Sequence, residues 1–202
     1  MRVITTFLMA IGAIGVILFL CLITGYCLFS STPSIKDQMS LMPVTYDAAQ
    51  SFDQKLDTFK SEIKTAAAAG KEEEVTLTIT EEEINSKMIE LLAEGELPLK
   101  EILINFNDDL CWVYSVADNP GIDAKTGVIA QLDVIEDEIK ITVIDFHLGK
   151  LPLPQSVDDR VGTLLGIMLK MQGPTDDLPV KITYIDIDDG QLIVEGVTEA
   201  AK

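Results

Sequence analysis

Hydrophobic and polar positions obey three successive rules along this chain. From Phe7 to Phe29 there is no alternation: FLMAIGAIGVILFLCLITGYCLF runs for 23 positions without a charge. At the helical rise it covers about 35 Å, enough to cross a hydrocarbon core with some tilt, and lipid offers unpaired backbone groups no partner, so a helix is required. From Val44 the period becomes helical. Phe52, Leu56, Phe59, Ile63 and Ala66 are spaced 4, 3, 4, 3, and Gly70 supplies a stop. Such a stripe either docks on the domain C-terminal to it or pairs with a second chain as a short stalk.

From Val75 onward period two dominates. Val75, Leu77 and Ile79 alternate with threonine as in a half-buried strand. Thr80 then stands three residues before Glu83, the spacing of a capping box, and Glu81 to Glu83 crowd a first turn where the helix dipole favours negative charge. Ile84, Met88, Leu91 and Leu92 form the expected buried stripe of that helix, which Gly95 ends. Ile102, Ile104 and Phe106, then Leu110, Trp112, Tyr114 and Val116, alternate on either side of Asn107-Asp108-Asp109 and predict a hairpin. Val128, Ala130, Leu132 and Val134 predict another strand, turning at Glu136-Asp137 into Ile139 to Leu148. In that last run the apolar phase slips near Val143, and a similar slip comes after Tyr184; a bulge or a strong bend in each strand reconciles the phases. A second helix is expected from Gln155 to Met171, with Val157, Val161, Leu164, Leu165 and Met168 inward, before a final hairpin around Asp188-Asp189-Gly190.

Leu97-Pro98-Leu99-Lys100 recurs as Leu178-Pro179-Val180-Lys181, and Ile104 to Asp108 recurs as Ile185 to Asp189, both at an offset of 81. Each block comes after an amphipathic helix and opens a hairpin. The unit strand–helix–hairpin therefore occurs twice. The expected fold class is α+β: a curved, mainly antiparallel sheet of seven strands with two core helices, behind a transmembrane helix and a helical stalk.

Composition adds a location. Signal-peptide apolar regions are shorter and end in a small-x-small site, whereas this one exits through Leu28-Phe29-Ser30-Ser31-Thr32-Pro33. An uncleaved signal-anchor is expected. Arg2 and the amino terminus flank its short side and only Lys36 lies close behind the other, which favours a cytoplasmic N-terminus. The expected organisation is 1–6 cytoplasmic tail, 7–29 membrane span, 30–71 polar linker and amphipathic stalk, 72–202 extracytoplasmic domain. All 33 acidic residues lie beyond the span, a charge that repels nucleic acid and attracts cations or basic partners while promoting solubility. Cys111 is the one cysteine outside the apolar stretch, so that part forms no internal disulfide.

The stretch Thr78-Ile79-Thr80-Glu81-Glu82-Glu83-Ile84-Asn85, behind an anchor and stalk, resembles the T-x-x-E-I-N opening of bacterial YpmS-like envelope proteins. Related patterns open YceB-like and LmeA-like proteins, and the turn from Gly149 to Pro154 after a long strand is similar to that group. The resemblance covers roughly Val75 to Val197. It implies an extracytoplasmic binding domain akin to the tubular lipid-binding folds, and no catalytic residues to carry over.

Conventional reaction chemistry is sparse. The sole histidine, His147, sits in a strand with Asp145 two residues away and no nucleophile fixed beside it. There is no P-loop, no G-x-G-x-x-G, no His/Cys cluster for zinc and no EF-hand spacing. A weak calcium site at one acidic cluster is the remaining metal option; no cofactor is expected. The leading expectation is a non-catalytic binding module enclosing a lipid or other amphiphile, with Ile84, Met88, Leu92, Leu164, Leu165 and Met168 lining an apolar groove. The rival is an adaptor that binds another envelope protein through its acidic surface.

Overall fold

In a computed structural model the chain is described over residues 24–118, 123–135, 137–151 and 178–199. The expected span lies mostly outside them, as does the second amphipathic helix. Residues 24–30 are helical, and among the described residues no helix is long and apolar enough to cross a membrane.

Among the described residues, two helices and seven strands come after a short 3-10 turn at Lys36–Gln38: α1 (Tyr46–Ala68), β1 (Glu74–Thr80), α2 (Glu81–Glu94), β2 (Leu99–Asn107), β3 (Leu110–Ala117), β4 (Lys125–Ile135), β5 (Glu138–Leu148), β6 (Val180–Asp188) and β7 (Gln191–Thr198). The α+β class and the antiparallel pairing agree with expectation. The single curved sheet does not. The strands divide into a three-stranded sheet, β1-β7-β6, and a four-stranded sheet, β2-β3-β4-β5. Each repeated hairpin founds its own sheet, because hairpin pairing is local and needs no partner from elsewhere.

The hairpin repeat is reproduced to the residue. β2 and β6, and likewise β3 and β7, begin and end 81 positions apart. Both turns place two central residues at positive φ, Asp108 (50°) and Asp109 (62°) in the first, Asp189 (47°) and Gly190 (72°) in the second. That is the backbone twist a two-residue hairpin loop requires. Even the flanking bond recurs: Asp118 N–H donates to Pro98 C=O at 3.0 Å and Glu199 N–H to Pro179 C=O at 2.7 Å. The strand of the first unit, however, is exchanged. β1 pairs with β7 of the second hairpin, whereas β5 is separated from the first hairpin by β4. One bulge falls at the expected phase slip; the other comes just before its expected place and turns Tyr184 to the face opposite Val180 and Ile182. Ile144 is skipped in the β4–β5 register and Thr183 in the β6–β7 register.

Three apolar clusters hold these layers. α1 docks on the three-stranded sheet through Phe59, Ile63 and Val75, with Leu77, Leu178 and Val180 around them. The stripe therefore packs on its own domain. α2 covers one face of the four-stranded sheet, where Ile104 and Phe106 meet Ile187 of β6. The opposite face carries Leu103, Tyr114 and Val116, as strand alternation demands.

That opposite face corrects the reading of the segment after Ser30 as a polar linker. Pro33 and Ile35 are almost fully buried. Gly127 leaves the space Ile35 occupies; a Cβ there would overlap Ile35 Cγ2. Lys36 lies 4.2 Å over the Tyr114 ring and pairs with Glu101. Asn105 accepts from Ser40 N–H at 2.8 Å and donates to Ser40 C=O at 3.1 Å, as a strand neighbour would. Polar spacing along this strap hid its docking, because Lys36 and Ser40 bond sheet groups rather than water alone.

The strap begins at a tight contact. Lys150 N–H donates to Leu28 C=O at 2.7 Å, and Gly149, at φ 59°, leaves no room for a Cβ against the carbonyls of Leu28 and Phe29. Gly149→Ala is expected to cost about 1–2 kcal/mol from backbone conformation alone, plus the displaced contact. Amide exchange at Lys150 should accelerate and protease should reach residues 30–35. Unchanged protection would show that the contact does not hold the strap.

Candidate functional site

Ile84 and Met88 pack against the cluster of Ile104, Phe106 and Ile187. Leu92, one turn on, is half-buried and outside that cluster. Leu164, Leu165 and Met168 lie outside the described residues. So two of the six proposed groove residues come together on the inner face of the four-stranded sheet.

The stripe expected to be buried on α2 is only half-buried: Ile84, Met88, Leu91 and Leu92 all retain exposure. The buried residues are polar, Glu81, Glu83, Asn85 and Ser86. The reason is the position of the first turn, wedged between α1, the edge strand β2 and the turn between β6 and β7. Each buried group has a partner there. Thr80 and Glu83 close the capping box, and Glu83 also accepts from Ser51 Oγ at 2.7 Å and Lys55 Nζ at 2.8 Å. Ser86 Oγ accepts from Thr45 N–H at 3.1 Å. Asn85 Oδ1 accepts from Ile104 N–H at 2.8 Å while its Nδ2 donates to the carbonyls of Ile104 and Glu81, both at 2.7 Å. A side-chain amide thus takes the place of a neighbouring strand along β2, closing an edge that would otherwise be open to pairing.

Glu81 bridges the two sheets. Its backbone N–H donates to Gly190 C=O at 3.0 Å, and its carboxylate Oε1 accepts from Phe106 N–H. Burial pushes its pKa up, only partly opposed by the Phe106 bond. Periodicity pointed to helix punctuation at the acidic triplet. It missed this clamp, since the partners are 25 residues and more away.

Beside Glu81 opens a cavity of about 290 Å³. Its walls come from the strap (Gln38, Met39, Ser40), the first hairpin (Asn107, Trp112) and the second turn (Asp189, Gly190). Trp112 Nε1 is the one buried side-chain polar atom among the described residues with no hydrogen-bond partner. Alternation had marked Trp112 only as a strand residue.

The remaining candidates are ordinary by geometry. His147 Nε2 lies 2.9 Å from Asp145 Oδ2, both partly exposed. Among the described residues no cluster of three or more His, Cys, Asp or Glu side chains could hold a metal ion. Burial pushes the Cys111 thiol up to about 11. As the thiolate is the reactive form, Cys111 should resist maleimide at pH 7 in a Cys21→Ser, Cys27→Ser background and react once the domain is unfolded in urea. Rapid labelling of the folded protein would contradict the raised thiol pKa.

Compared with protein-family models, curated proteins and solved structures, the chain has no significant match, so its reading rests on its own residues and geometry.

Proposed function

We propose that this chain is a single-pass, membrane-anchored, non-catalytic binding protein whose extracytoplasmic domain holds a lipid or similar amphiphile in an apolar groove beside α2. The anchor is Phe7 to Phe29, with residues 1–6 in the cytoplasm and the domain outside. The observation that carries the groove is the state of the cluster between the sheets. Among the described residues only Ile104, Phe106 and Ile187 are buried there, while Ile84, Met88, Ile102, Cys111, Val113, Leu132 and Leu192 stay partly exposed. A filled core buries its members. Partly wetted apolar walls are what an acyl chain would complete, and methionine adapts to irregular ligands. Likeness to YpmS-like and tubular lipid-binding proteins runs in the same direction. Its motif residues Thr80, Glu83 and Asn85 serve here as cap and edge clamp, so the likeness speaks for architecture.

The test is extraction of the purified, detergent-solubilised full-length protein with organic solvent and mass spectrometry of the extract. A stoichiometric amphiphile is expected, and Met88→Gln should remove it while the circular dichroism spectrum stays native. A protein that carries no amphiphile, or a Met88→Gln variant that retains it, would overturn the groove.

The adaptor reading is favoured by one different feature. Leu41, Val44 and Tyr46 are 83%, 50% and 75% exposed where the strap runs into α1, an apolar run of the kind found at protein contacts.

A further inference from the structure

The cavity beside Glu81 has a chemistry of its own, independent of the amphiphile groove. Glu81 is 8% exposed, yet among the described residues it has no cationic partner. One carboxylate oxygen, Oε1, is taken by Phe106 N–H. The other, Oε2, has no hydrogen bond among the described residues and lies beside Gly190, 3.8 Å from where a Cβ on that residue would sit. Gly190 and Glu81 line the same cavity, and so does the exposed carboxylate Asp189. No lining residue is basic.

Glu81 is held largely out of water while its free Oε2 keeps contact with solvent, so a cation with hydrogen-bond donors can reach that oxygen and offset the cost of a charge with no counter-ion. Anionic ligands are disfavoured for the same reason. The volume, about 290 Å³, has room for a small headgroup. Trp112 contributes an indole wall, and tryptophan is the best aromatic partner of an organic cation.

We propose that this cavity binds a primary ammonium group, held by Glu81 Oε2 and Asp189 against the indole of Trp112. The ammonium belongs either to a free small amine or to an aminated lipid headgroup; both present the same three donors. Binding here spans the strap and both hairpin turns, so the ligand would also tie the two sheets together.

Trp112 is the sole tryptophan of the chain, so its emission reports on the cavity directly. The full-length protein in detergent is titrated with ethanolamine hydrochloride against matched sodium chloride, with glucose as a neutral polyol. A saturable change in Trp112 emission is expected with ethanolamine alone. Glu81→Gln keeps an acceptor for Phe106 N–H and should weaken binding roughly tenfold or more, the loss of a charge-assisted bond. Asp189→Asn, on an exposed turn, should weaken it several-fold and decides the matter if Glu81→Gln fails to fold. Bicelles containing phosphatidylethanolamine then identify the source. Competition with free ethanolamine assigns the lipid headgroup, and its absence assigns the free amine. Met88→Gln should leave the titration unchanged, which separates this site from the groove. An equal response to glucose or sodium chloride, no saturable response to either amine form, or wild-type affinity in a folded Glu81→Gln or Asp189→Asn variant would overturn the proposal.

Discussion

Replacing Asn85 with alanine is expected to destabilise the domain by about 3–5 kcal/mol, measured by urea unfolding followed by circular dichroism. Asn85 is 2% exposed, and its amide satisfies both the N–H and the C=O of Ile104. Alanine leaves the buried Ile104 N–H without a partner, at about 1–3 kcal/mol, leaves its C=O only the 3.0 Å bond from Asn105 Nδ2, and removes the bond to Glu81 C=O. A second consequence is specific to the location. β2 is an edge strand of its sheet, so uncovering Ile104 opens a pairing edge and the variant should self-associate on partial denaturation. Asn85→Asp sharpens the test. It keeps an acceptor for Ile104 N–H and turns the donor into a second acceptor facing the Ile104 carbonyl, so it should be no better than alanine. A loss below about 1 kcal/mol for Asn85→Ala would show that water replaces the amide and that the clamp is not structural.

Glu83→Gln is expected to cost about 2–4 kcal/mol at pH 7 and to flatten the acid limb of the stability curve. Burial raises the pKa of Glu83, but the bonds from Lys55, Ser51 and Thr80 N–H outweigh it and hold the carboxyl below the usual glutamate range. A group whose folded pKa is depressed contributes stability that is present above its unfolded pKa, near 4.5, and lost as pH falls through the folded value. Glu81 acts in the opposite sense. Its pKa is raised, so the folded state takes up that proton before the unfolded chain does, and acidification through the raised value favours folding. Removing Glu83 should therefore weaken the dependence on pH below about 5, and removing Glu81 should steepen it. Parallel shifts in the two variants would mean that neighbouring carboxylates, not these individual environments, govern the acid limb.

Much of the architecture was legible because it is local. The capping box at Thr80 and Glu83, the left-handed stop at Gly95, both hairpins and the 81-residue offset between them depend on residues a few positions apart, whose torsions and alternation are written in sequence. The bulge at Ile144, and the presence though not the place of the one at Thr183, were legible for the same reason, since a slip of one residue reverses which face an apolar side chain meets. What remained hidden was every choice between distant partners. Val75-Thr76-Leu77-Thr78-Ile79 announces a strand, yet nothing in it specifies pairing with β7 rather than with the neighbouring hairpin. Pro33 to Ser40 reads as a polar spacer, because a backbone clamped by Asn105 and an ion pair stacked on Tyr114 leave no periodic trace. The acidic triplet shows the division within three residues. Helix start was decided by spacing and dipole alone. That Glu82 meets Thr45, Glu83 meets Lys55, and Glu81 joins two sheets beside a cavity was decided only by tertiary structure, which brought chain segments 25 to 109 residues apart to one turn of helix.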